Sequence, residues 1–171
     1  ISWMNAIPVV HRQLFAVDQL LSVSVQLTTS LEKLVGATER ITAPLKSDKV
    51  SDFHSLSGEQ KKEMLAAFHE ESPVFEEVKH ELESAHKAID SIPDFGTIRQ
   101  IRDAKNTAAE KLPELERAID DVLVFSKILP DIAGYKEERP YLMLFQNNTE
   151  LRPSGGFIGT YGILVLENGE I

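Results

Sequence analysis

Residues 20–45 read LLSVSVQLTTSLEKLVGATERITAPL, and the spacing of their apolar side chains decides the fold. Leu20, Val23, Leu27, Leu31, Leu34, Thr38, Ile41 and Leu45 follow one another at steps of three and four, the period of one helix face and not of a strand. Leu14, Val17 and Leu21 begin a parallel stripe just upstream. Pro8 suits a helix start, and Pro44 predicts an end or a bend. About 35 helical residues at 1.5 Å each make a rod of roughly 50 Å.

Two more segments carry the same period. After the polar stretch KSDKVSDFHSLSG, Ser57 and Gln60 form the pattern of a capping box ahead of Met64, Leu65 and Phe68. Ser72-Pro73 predicts a restart or kink, beyond which Val74, Val78, Leu82, Ala85, Ile89 and Ile92 make a narrow seam. The third segment starts near Asp94 and carries Ile98, Ile101, Ala108, Leu112, Leu115, Ile119, Val122 and Phe125. Pro113 predicts a kink in it, and ILPDIAG predicts its end. Narrow seams of this kind pack helices side by side around a shared core. The expected fold is therefore mainly α: an antiparallel, up-down-up bundle of three long, partly kinked helices.

After Arg139-Pro140 the pattern changes. YLMLFQ and FIGTYGILVL are apolar runs rich in β-branched and aromatic residues, and ENGE holds the Asn-Gly pair of a tight hairpin turn. Residues 1–138 are read as the helical bundle and 139–171 as the first strands of a truncated α/β domain. Ile1 in place of Met and the strand-like close ILVLENGEI predict a piece of something longer.

Composition narrows the function. The 171 residues are 42% hydrophobic and 26% charged, ordinary for a globular chain. A formal charge of −9 repels phosphate backbones, so nucleic acid is not an expected partner. The charge is uneven: residues 1–46 hold four Lys/Arg against three Asp/Glu, and residues 47–139 hold thirteen against twenty-one. There is no cysteine, which excludes disulfides and thiolate chemistry. The longest uncharged helical run, Gln19 to Leu31, falls short of a membrane span, and no signal peptide is expected.

One stretch has the makings of a site. In FQNNTELRPSGGFIGTYG, residues 145–162, Gly155 and Gly156 permit positive φ while Pro153 fixes the chain before them. Two readings stand. In the first, Asn147, Asn148, Glu150, Arg152, Gly155 and Gly156 form a polar loop whose amides and Arg152 bind an anion. In the second, Glu150 and Arg152 pair, the Asn side chains satisfy loop backbone, and the loop only shapes a tight corner. SGGFIG is not a phosphate loop, since it lacks the GK[ST] ending and leads into a strand. Glu77 with His80 and Glu83 with His86 repeat a spacing used in di-iron bundles, but both pairs lie on one helix and read as surface residues. No catalytic residue, metal site or cofactor is expected. Asn147-Asn148-Thr149 matches a glycosylation acceptor by coincidence, and the lone Trp3 is read as a cap of the bundle core, with a membrane-interface residue as the alternative.

Residues 139–171 resemble the signature of the DUF4012 family, bacterial proteins of unknown function. Tyr141, Gln146, Asn147, Asn148, Glu150, Leu151, Arg152, Gly155, Gly156 and Phe157 fit it, and the Asn-Gly turn follows in place. Pro8 to Leu14 and the LPDIAG exit are similar to the family's helical region. The resemblance implies a membrane-spanning helix upstream, this helical region, and a larger α/β domain outside the membrane. It implies a non-enzymatic extracytoplasmic module of the bacterial cell membrane, acting as spacer or as a protein-contact domain through helix faces. An alternative comes from likeness to LytR-CpsA-Psr phosphotransferases. It makes the chain part of a protein handling polyprenyl-phosphate-linked cell-wall glycans, with Arg152 and the Gly155-Gly156 amides on an anionic lipid-linked ligand.

Overall fold

The structure, a computed structural model, describes residues 3–46, 55–147, 149 and 156–171, with side chains from residue 10 onward. In order they form α1 (Trp3–Ile41), a short 3-10 turn (Ala43–Lys46), α2 (Gly58–Asp90), α3 (Arg99–Ile132), β1 (Arg139–Asn147) and β2 (Phe157–Leu166). By packing the chain falls into two units. One holds Ile1–Glu39 with Glu71–Phe125, the other Arg40–Glu70 with Ser126–Ile171.

The first unit is a three-helix bundle. Gln13 Nε2 donates to the Gly96 carbonyl at 2.6 Å, and Ser30 Oγ donates to Glu81 at 2.5 Å, so α2 runs back along α1. Lys79 bonds Asp120 at 2.5 Å, His86 meets Glu116 at 2.9 Å, and Lys105 donates to the Ile92 carbonyl at 2.7 Å, so α3 runs back along α2. The order is up-down-up. Along α2 the expected seam is buried from Val78 through Leu82, Ala85 and Ile89 to Ile92, and Phe75 joins it. Ile41 of the expected stripe is buried in the other unit, Leu20, Leu27 and Leu34 are half-buried, and the buried line of α1 here is Ala16, Val23, Ser30 and Ala37, one residue per two turns. Three of these four are small, so the helices approach closely there. Leu31 of the expected stripe is exposed, and so are Leu14, Val17 and Leu21 of its neighbour.

Local chemistry sets several of the boundaries. The Gln60 amide donates to Ser57 Oγ at 3.3 Å and the Ser57 amide to Gln60 Oε1 at 2.9 Å, the reciprocal capping box that opens α2. No helix restarts or ends at its internal prolines. α2 is helical through Pro73 and α3 through Pro113 and Pro130, with no break in either element. Each proline removes one hydrogen bond, and buried residues on either side, Glu71 and Phe75 around Pro73, hold the flanking turns in place. α1 starts at Trp3, ahead of Pro8, and α3 starts at Arg99, past Asp94.

In the second unit β1 and β2 pair antiparallel from Arg139↔Leu166 to Asn147↔Phe157, with a bulge between Phe145 and Gln146. Both faces of this hairpin carry exposed apolar side chains, Leu142, Tyr161 and Ile163 on one and Met143 and Phe145 on the other. Strands of that composition belong to sheets covered on both sides.

Candidate functional site

The expected site is the connection 148–156 between the strands. Asn148, Glu150, Arg152 and Gly155 lie outside the described residues, as does the proposed Glu150–Arg152 pairing. Asn147 and Gly156 are described, one at each strand end. Asn147 Oδ1 accepts from the Thr149 amide at 3.1 Å and from Thr149 Oγ1 at 2.7 Å, a turn in which the side chain is spent on its own loop. At Gly156 a Cβ would fall 2.6 Å from Gln146 Nε2 and 2.8 Å from the Asn147 carbonyl oxygen, so only glycine lets the strands meet there.

A denser arrangement lies at the opposite end of the hairpin, where it meets the last turn of α3. Gly134 (φ 73°) follows that turn in the left-handed region. Tyr135 N–H donates to Pro130 O at 2.9 Å and Gly134 N–H to Asp131 O at 3.3 Å, the paired bonds of a Schellman cap. Further bonds reach this helix end from the hairpin and the turn after it. Arg139 Nε donates to Asp131 O at 3.2 Å and Tyr141 Oη to Ile132 O at 2.5 Å. Asn168 N–H donates to Gly134 O at 3.0 Å and Gly169 N–H to Ala133 O at 2.8 Å. Asn168 and Gly169, at φ 52° and 78°, make the expected tight turn, closed by two bonds between Glu167 and Glu170. Tyr141 and the Asn-Gly pair, read from the sequence as parts of a signature, thus clamp a hairpin onto a helix end.

The bundle holds a polar line of its own. Lys33 Nζ is bonded to both Glu81 and, at 2.8 Å, Glu77, while Ser30 holds the other oxygen of Glu81. Burial alone would raise the Glu81 carboxyl, but the bonds from Lys33 and Ser30 reverse this and hold it below the ordinary carboxylate range. Lys33 is held above the ordinary lysine value, first by its bond to Glu77 and then by Glu81. Because the folded-state value of Glu81 lies below the unfolded one, its stabilisation is present at neutral pH and lost as pH falls through the carboxylate range. Between about pH 5 and pH 3 the native chain is expected to lose more stability than Glu81→Gln. Chemical denaturation at each pH measures this, and parallel curves would remove Glu81 from the acid response.

The Glu-x-x-His pairs do not converge. His80 is 79% exposed and lies 3.7 Å from Glu83. His86, read as a surface residue, is partly buried and bridges to Glu116 on α3. Among the described residues no group of His, Asp and Glu is placed to hold a metal ion.

Sequence reasoning missed an apolar groove of about 400 Å³ along the bundle. Leu27, Leu31 and Leu34 of α1, Val78 and Leu82 of α2, and Leu115, Ile119 and Val122 of α3 line it. Leu115 and Val122, expected in the core, stand at its rim. A fourth apolar element would fill it. Within α1, Val10–Ile41 is also long and apolar enough to cross a membrane by length and composition. Counting uncharged runs missed this because Asp18 interrupts the stretch. In the bundle that helix is bonded through Ser30 and Lys33 to Glu77 and Glu81, and the charged helices beside it do not suit hydrocarbon.

No curated protein and no solved structure matches the chain. Residues 136–171, which hold both strands, the candidate loop and the Asn-Gly turn, match the family model described as protein of unknown function, DUF4012.

Proposed function

We propose that the chain is a non-enzymatic, extracytoplasmic helical module of a membrane-anchored bacterial envelope protein, attached through a helix upstream of Ile1. Its task is to position the sheet-forming segment and to contact other proteins through its helix faces. The observation that carries the reading is the apolar groove between the three helices, a surface that a pure spacer has no use for. The clamp at Gly134 supports the positioning role, because it ties the hairpin to the last turn of α3.

These 171 residues hold no cysteine, so with any cysteine elsewhere in the full-length protein replaced by serine a single reporter thiol can be placed. In the full-length protein, His80→Cys should react with a membrane-impermeant maleimide on intact cells, since His80 is 79% exposed. A photoreactive residue at Val122, on the groove, should cross-link to protein, while one at Asp103, on a charged face, should not. Labelling only after lysis would overturn the location. Equal cross-linking at both positions would overturn the groove as a contact surface.

A further inference from the structure

α1 is apolar on two sides, and the bundle covers only one of them. Val10, Leu14, Val17, Leu21, Leu31 and Val35 are 41–66% exposed on the outer side. Ser24 and Thr28 complete this line. Positions 10, 17, 24 and 31 alternate with 14, 21, 28 and 35 at steps of four and three, the heptad pattern of a helix that packs against another helix over about 38 Å. The two polar members do not need water: Ser24 Oγ donates to Leu20 O at 2.8 Å and Thr28 Oγ1 to Ser24 O at 2.9 Å, so each hydroxyl is satisfied within the helix.

The spacing of the line is also symmetric about a point midway between residues 22 and 23. Laid antiparallel on itself, it sets Val10 against Val35, Leu14 against Leu31, Val17 against Thr28 and Leu21 against Ser24. Large residues meet large ones at the ends and small ones at the centre, which is how facing helices interdigitate. The centre already holds the receiving hole. Leu21, Ser24, Val25 and Thr28, at positions i, i+3, i+4 and i+7, form the central end of a surface depression of about 280 Å³ that runs on past Thr29 to Glu32. Charge favours the same approach. Residues 1–46 hold four Lys/Arg against three Asp/Glu, whereas residues 47–139 carry a surplus of acid, so two chains of charge −9 repel least across α1.

We propose that the outer face of α1 is a docking surface for α1 of a second copy of this chain, packed antiparallel about a two-fold axis between Leu21 and Ser24. Leu21 of each copy fills the depression of the other, and the same patch serves both chains, as two-fold symmetry requires. The inference rests on the interaction reading of the helix faces, but it concerns another surface, sharing only Leu31 with the groove. Antiparallel pairing joins chains whose N-termini point opposite ways. Two copies anchored in one membrane would then pair with their bundles lying along its surface.

The test is sedimentation equilibrium of the purified chain over roughly micromolar to hundred-micromolar concentrations. A monomer–dimer equilibrium is expected, weakened about a hundredfold or more by Leu21→Glu and, independently, by Leu14→Glu. Both sites are exposed in the single chain, at 62% and 66%, so both variants should melt as the wild-type monomer does. Mixed Leu14→Cys and Leu31→Cys chains should oxidise to the mixed disulfide, and Leu14→Cys alone should not form a dimer of itself. A chain that stays monomeric overturns the proposal, and so do a dimer indifferent to both Glu variants and efficient self-linking at position 14. If the monomer instead floats with phosphatidylethanolamine–phosphatidylglycerol vesicles and Leu21→Glu abolishes this, a lipid surface covers the face and the proposal falls. A monomer in solution would leave the cell-surface labelling and the groove cross-links untouched.

Discussion

Gly134→Val should destabilise the helix–hairpin unit by roughly 3–4 kcal/mol, one of the two largest effects expected of a single change in this chain. Gly134 sits at φ 73°, where a β-branched residue costs about 1–2 kcal/mol. Any Cβ there would also lie 2.1 Å from the Leu166 carbonyl oxygen and 2.7 Å from its carbon, which are backbone atoms and cannot swing aside. The Asn168–Gly169 turn must then lift off the helix, releasing the bonds to Gly134 O and Ala133 O at about 1 kcal/mol each. Amide hydrogen exchange at Asn168 and Gly169 reads the release locally, and thermal denaturation reads its cost. Gly134→Asn separates the two causes. Asparagine accepts the left-handed region, so a variant that recovers to within about 1 kcal/mol would show that φ alone demands glycine. Little recovery is expected, because the close approach remains. Gly58 is the contrasting case. A Cβ there would meet only the Glu170 carboxylate, at 2.7 Å, and that side chain can rotate away. Gly58→Ala should be neutral or slightly stabilising at the start of α2.

The contrast shows which parts of the molecule were legible in the sequence. The seam of α2 was, because Val78, Leu82, Ala85, Ile89 and Ile92 put all their apolar surface on one face and leave no choice of side. α1 was legible as a helix, and most of the expected stripe turns inward, with Val23 and Ile41 buried and Leu20, Leu27 and Leu34 half-buried. The small residues of the same side, Ala16, Ser30 and Ala37, are the part that hydrophobicity passes over. The capping box at Ser57 and the Asn168–Gly169 turn were readable because each is closed within four residues. Gly134 was read only as a helix stop. The strand end that forbids it a side chain lies some thirty residues further on, and no local rule reaches that far. In the candidate loop, the described bonds run from Thr149 to the side-chain oxygen of Asn147. Of the two outcomes a local rule allows at Pro73, a restart or a kink, the restart does not occur: α2 is helical throughout, with Glu71 and Phe75 buried on either side.

That continuity makes a prediction about Phe75. Its ring is 3% exposed, two residues beyond Pro73, and Phe75→Ala should cost about 3–5 kcal/mol in the stability of the bundle. Burial alone accounts for most of that figure. A further share arises because the turn leading into Pro73 lacks the bond that an N–H at 73 would give to His69 O, so the helix depends on buried Glu71 before it and Phe75 and Val78 beyond it to stay in line. Pro73 itself is exposed, and Pro73→Ala should restore the bond and raise stability by roughly 1–2 kcal/mol, part of the full helix-interior difference between the two residues. With alanine at 73 the helix supports itself, so Phe75→Ala should then cost about 0.5–1 kcal/mol less than it does beside proline. Urea denaturation of the four proteins in this cycle measures the coupling. If the two effects simply add, Phe75 contributes only its own burial, and the continuity of α2 through Pro73 must be held by other contacts.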